Sequence, residues 1–124
     1  MFRLGSASAE VTAFSATPEF FESGDGIDIS LTVSSTGSIT LTGQVIIEAQ
    51  TADGITTTAT FTHPVSALAP GSSLTFNDTW DTTGVPFGDY RVRGYMRYDT
   101  MTSNVAVVAV TNQLKAYLPL VLRE

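Results

Sequence analysis

The chain has no cysteine, one lysine, one histidine and one tryptophan among its 124 residues. Without cysteine there is no disulfide, no thiolate zinc site, no thiol redox chemistry and no cysteine nucleophile. The single imidazole, His63, is followed by Pro64 at the end of an expected strand. No aspartate stands at a recognisable spacing from it, so it reads as a loop residue rather than a catalytic base. A GxSxG elbow, an HExxH pair and a phosphate-binding glycine loop are all missing. Twelve acidic residues could supply the two carboxylates of a glycosidase, but no spacing singles out a pair. The chain therefore reads as non-catalytic.

Basic charge is also scarce. Six Lys and Arg stand against twelve Asp and Glu, a net charge of −6. A nucleic-acid binder needs a basic surface to displace counterions from phosphate, so that partner class is disfavoured. Long apolar runs are missing too, although 43% of residues are hydrophobic and the mean hydropathy is +0.17. A spanning helix needs about 18 consecutive apolar residues, and membrane insertion is not expected. The first residues, Met1-Phe2-Arg3-Leu4 followed by Gly5 to Ala9, contain no apolar stretch of the kind a signal peptide carries. The expected location is extracellular or at the cell surface, any leader having been removed or excised.

What the chain does have is Thr and Ser, 19 and 12 residues, a quarter of the whole. With ten Gly and five Pro, this composition favours strands and turns. Alternation of period two recurs along the chain, whereas helical periodicity does not. Strands are expected around Glu10–Phe14, Ile27–Val33, Ile39–Thr51, Ile55–Thr62, Leu74–Trp80, Tyr90–Tyr98 and Val105–Val110. Asp53-Gly54 between two of them is a strong hairpin signal, since both residues tolerate positive φ. Pro64 and Pro70-Gly71 are expected to punctuate a loop. On Ile55–Thr62, the residues Ile55, Thr57, Ala59 and Phe61 share one side. The Val105–Val110 run is apolar on both faces.

Seven strands at intervals of about 8–14 residues predict an all-β, immunoglobulin-like sandwich, with a closed barrel as the alternative. Residues 1–114 form this sandwich. Residues 115–124 form an extra apolar C-terminal strand or tail, in the same domain or donated to a neighbour.

The stretch Trp80-Asp81-Thr82-Thr83-Gly84-Val85-Pro86-Phe87-Gly88-Asp89-Tyr90-Arg91-Val92-Arg93 resembles the E-to-F passage of bacterial extracellular immunoglobulin-like modules, of the CARDB-like and fibronectin-like groups. Ile27 to Gly37 is similar to their B strand and the turn after it. The ending Tyr117-Leu118-Pro119-Leu120-Val121-Leu122 resembles that of exported proteins of filamentous bacteria. The resemblance implies a non-catalytic structural or adhesive module of a surface or secreted protein. The acidic and Asn-rich cluster usual at the end of CARDB-like repeats is missing after Tyr98-Asp99. Alternatives are a self-assembling filament or sheath subunit that exchanges its terminal strand, and a carbohydrate-binding module.

Five groups of residues carry candidate chemistry. Arg91, Arg93 and Arg97, with Tyr95 between them, share one face of one strand and could grip an anionic surface polysaccharide or a partner's acidic edge. The plainer reading is cross-strand pairing with acids or hydroxyls. Glu22, Asp25 and Asp28, around Gly24 and Gly26, could offer oxygen ligands to Ca²⁺, although the Asp-x-Asp-x-Asp pattern is absent and a solvated acidic turn is the better reading. Asp78, Asp81 and Asp89 form a second, weaker acidic set. No cofactor is expected otherwise. Tyr90, just after Gly88-Asp89, could turn its hydroxyl back to a loop as in a tyrosine corner, or serve as an ordinary core aromatic. Finally, Tyr117, Leu118, Leu120 and Leu122 in the tail form an expected protein-binding strand. It would fold back on its own sandwich or add to the next subunit.

Overall fold

The computed structural model describes residues 6–112. Eight strands follow one another: β1 Ala9–Thr17, β2 Gly26–Ser35, β3 Leu41–Thr51, β4 Thr57–Leu68, β5 Ser73–Asp81, β6 Gly88–Tyr98, β7 Met101–Thr102 and β8 Ala106–Asn112. They form two antiparallel sheets, β1-β2-β5 and β4-β3-β6, with β7 and β8 both pairing along the outer side of β6. The fold is an all-β, immunoglobulin-like sandwich. Its tail residues, 113–124, and with them the expected C-terminal strand, lie outside the described residues.

The alternation in the sequence sets the inner faces. Ile27, Ile29, Leu31 and Val33 of β2 are buried against Leu41, Val45, Ile47 and Ala49 of β3 and Tyr90, Val92, Met96 and Tyr98 of β6 in one core. On β1 a bulge between Val11 and Ala13 shifts the phase, so that Ala9 and Val11 point inward before it and Phe14 and Ala16 after it. One end of the core is aromatic: Phe21, Trp80 and Tyr90 lie with ring centroids 5.6–6.2 Å apart, Phe21 tilted against both partners and Trp80 edge-on to Tyr90. Each such pair adds about 0.5–1.5 kcal/mol beyond burial of its area.

The edges are closed by side chains. Asn104, in the break between β7 and β8, accepts from the Val11 amide at 2.8 Å and donates to the Val11 carbonyl at 3.2 Å. Its carboxamide thus stands in for a missing strand on the edge of β1. After β1 the chain crosses to the other sheet, where Thr111 donates to the Glu19 carbonyl and receives the Phe21 amide.

Three expectations are corrected. Pro64 is not in a loop but within β4, opposite Gln44; β4 is an edge strand, where a residue without an amide hydrogen is tolerated. His63 therefore lies on a strand and not in a loop. Ile55 precedes the return strand, at 81% exposure, because the Asp53-Gly54 turn holds the chain until Thr57.

Candidate functional site

The outer face of the larger sheet collects all three arginines among the described residues. Gln44, Ile46, Glu48 and Gln50 of β3 stand opposite Arg97, Tyr95, Arg93 and Arg91 of β6, in perfect register. The arginine stripe thus lies on one face. Arg93 Nε is 3.1 Å from Glu48 Oε1, an ion pair whose N–H is not aligned for a hydrogen bond. The Arg93 guanidinium also rests 5.1 Å from the centroid of Tyr95. Arg91 Nε donates to Gln50 Oε1 at 3.0 Å, and Gln50 Nε2 donates to Thr57 on the next strand. Two of the three guanidiniums are therefore engaged by their own sheet. Arg97 is exposed at the end of the row.

A second assembly was not legible as one. His63 Nε2 lies 2.7 Å from Asp78 Oδ2, joining β4 of one sheet to β5 of the other. Its ring stacks on Phe76 at 4.7 Å between centroids. The pair sits 15 residues apart in sequence, and only the packing of two sheet edges brings it together. A histidine and a carboxylate are two thirds of a nucleophilic triad, but the one hydrogen-bond partner of the His63 ring among the described residues is Asp78.

The acidic turn after β1 is organised by backbone, not by a shared ion. Asp25 accepts the Glu22 amide at 2.9 Å through its carboxylate. Thr82, fully buried, accepts from the Gly24 amide at 3.1 Å and donates to the Asp25 carbonyl at 2.7 Å. It staples this turn to the start of the β5–β6 connection. Asp28 receives the Thr79 hydroxyl instead. Glu22, Asp25 and Asp28 are thus not gathered into a calcium ligand set, and among the described residues no three acidic or histidine side chains are placed to hold a metal. The second acidic set is dispersed likewise: Asp78 faces His63, Asp81 receives Thr83, and Asp89 receives Thr111. Nothing in the sequence marked Thr82 as the hub, since one Thr among 19 carries no local signal.

Tyr90 does both things expected of it. The ring is buried in the aromatic cluster, and its hydroxyl donates to the Pro86 carbonyl at 2.9 Å. Burial raises its pKa above the ordinary 10.0. Tyr117, Leu118, Leu120 and Leu122 lie outside the described residues.

The fold recurs among solved structures. The CARDB domain of a Pyrococcus furiosus protein, solved in complex with di-metal ions, superposes with a TM-score of 0.61 at 18% identity, over 93% of this chain and 99% of that one. The two share the immunoglobulin-like sandwich fold. The sporulation control protein Spo0M of Bacillus subtilis matches with a TM-score of 0.65 at 12% identity, over 86% of this chain and 49% of its own. A cycloisomaltooligosaccharide glucanotransferase of Paenibacillus sp., complexed with cycloisomaltoheptaose, matches with 0.62 at 21% identity over 89% of this chain. The chain spans 15% of that enzyme's length and about half of Spo0M. At these identities the likeness is one of fold. No protein-family model and no curated protein matches the chain.

Proposed function

We propose that this domain is a non-catalytic structural or adhesive module of a bacterial surface or secreted protein, presenting sheet faces to its partner instead of a cleft. The observation that supports this reading is how the polar chemistry is spent inside the fold. Arg91 and Arg93 are tied to Gln50 and Glu48 on the same sheet, and His63 and Asp78 close the seam between sheets. A fold that makes up a whole CARDB domain, yet only a small part of a large transferase, also suits a module. Where the sheet face meets a partner, Arg97 and Tyr95 are its available anionic-ligand groups, and an acidic polysaccharide is the matching chemistry.

Antibody against the purified domain, applied to intact producing cells and to their medium, tests the location. Labelling without permeabilisation, or recovery from the medium, is expected. Signal only after permeabilisation overturns the surface reading. In parallel, turnover of chromogenic glycosides above background, abolished by Asp78→Asn, would overturn the non-catalytic one.

A further inference from the structure

The strand β8 is apolar on both faces, and only one is used. Val108 and Val110 turn toward the core, whereas Val107 on the opposite face is 53% exposed, with Ala109 exposed beside it. Phe20, held next to this face by the bonds between Glu19–Phe21 and Thr111, is 69% exposed. Together with Ala52, Arg91 and Thr111 these residues line a predominantly apolar groove of about 570 Å³. Leaving a valine, an alanine and a phenylalanine side by side in water is unfavourable, and a contiguous apolar patch of this kind marks an interaction surface.

We propose that this groove seats the chain's own apolar C-terminal segment, residues 116–122. The argument is one of position and length. The groove includes Thr111, and the described chain ends one residue later at Asn112. The next residues of the sequence are Gln113, Leu114 and Lys115, then Ala116-Tyr117-Leu118-Pro119-Leu120-Val121-Leu122. From Thr111 back to Val107 the groove follows about 13 Å of strand, and seven extended residues reach about 20 Å. The segment is therefore long enough to turn and lie along the whole groove. Three intervening residues give its own groove a high effective concentration of segment, ahead of a groove on any other molecule. Charge agrees with this direction. Glu19 stands beside the exit of β8, without an ion pair among the described residues, and Lys115, the only lysine, comes three residues after Asn112. Pro119, which lacks an amide hydrogen, fits a segment held by side-chain packing across a sheet face and not by a complete ladder. The inference holds whichever partner the module has.

The absence of cysteine makes the test clean. Ala109→Cys is combined, in the full chain, with Leu118→Cys or with Leu120→Cys, and oxidised at low micromolar concentration. An intramolecular disulfide, seen as a faster monomer band that reverts on reduction, is expected in at least one pair. The control, Asn77→Cys on the outer face of the other sheet with the same tail cysteines, should not form it. Disulfide-linked dimers from the Ala109 pairs would overturn the proposal in favour of a second copy as occupant. Equal cross-linking to Ala109 and Asn77 positions, or none at all, would overturn it outright. Should Ala109→Cys fail to fold, Val107→Cys takes its place with the same readings.

Discussion

His63 and Asp78 meet across the seam of the sandwich, the imidazole Nε2 2.7 Å from the carboxylate, and they belong to different sheets. Neither sheet's own hydrogen bonds reach the other, so such pairs, with the apolar layer, hold the two in alignment. Phe76, stacked on the imidazole, fixes the ring plane that the bond needs.

Removing either partner leaves the other in a half-buried seam without its bond. His63→Ala and Asp78→Ala should each cost about 1–3 kcal/mol. The double variant should cost less than the sum, with a coupling of about 0.5–3 kcal/mol. Urea unfolding of the four proteins measures this. Additive losses would mean that the two side chains stabilise the fold independently.

Gly43 sits at the bulge where β3 changes register against β4, and a Cβ there would run into the Arg97 carbonyl of the neighbouring strand. That obstacle is backbone and cannot rotate away. Gly43→Ala should therefore destabilise by about 1–3 kcal/mol or more, as overpacking of a fixed wall does. Thermal unfolding checks it. A variant as stable as the parent would show that β3 and β6 can separate locally without loss.

Alternation alone made most of the strands legible, because a half-buried strand writes its inner face into every second residue. It carried β2, β3 and β6 almost to their ends, and with them the arginine face. It misled at β4, where Pro64 looked like a break. Edge position, which decides whether a proline fits, is a property of the sheet and not of the segment. The bulge on β1 escaped for the same reason. His63 seemed partnerless because its partner is on a strand of the opposite sheet, and the hub at Thr82 is one hydroxyl among many. Contacts between sheets leave no periodic trace in the chain.

The turn carboxylates should contribute to the acid limb of stability. Asp53 receives the Thr51 hydroxyl at 2.6 Å and the Ile55 amide at 2.9 Å, and Asp81 receives the Thr83 hydroxyl at 2.7 Å and amide at 3.0 Å. Those bonds hold both carboxyls below the ordinary 3.8. A depressed folded-state pKa means stabilisation that is present above the unfolded value and is lost as pH falls through the folded one. Melting temperature should drop on acidification below about pH 4. In the Asp53→Asn, Asp81→Asn double variant, where the amide oxygen keeps the turns, that drop should be shallower. An identical acid limb would assign the loss to other carboxylates.

The Tyr90 hydroxyl should contribute on the alkaline side. It donates to the Pro86 carbonyl from within the aromatic cluster, and burial raises its pKa above 10.0. Only the neutral phenol can donate that bond. A raised folded-state pKa gives stabilisation that is complete below the unfolded value, about 10, and is lost as pH rises through the folded one. Tyr90→Phe removes the bond and the titration together while leaving the ring among Phe21 and Trp80. At neutral pH the variant should be less stable by about 0.5–1.5 kcal/mol, the net worth of one hydrogen bond. On alkalinisation the parent should lose stability faster than the variant, so the gap closes. Urea unfolding of both proteins from neutral pH to about two units above the ordinary tyrosine value gives the two curves. Parallel curves would mean that the phenolate, once formed, is solvated in the folded protein, and that Pro86 and Tyr90 do not constrain each other.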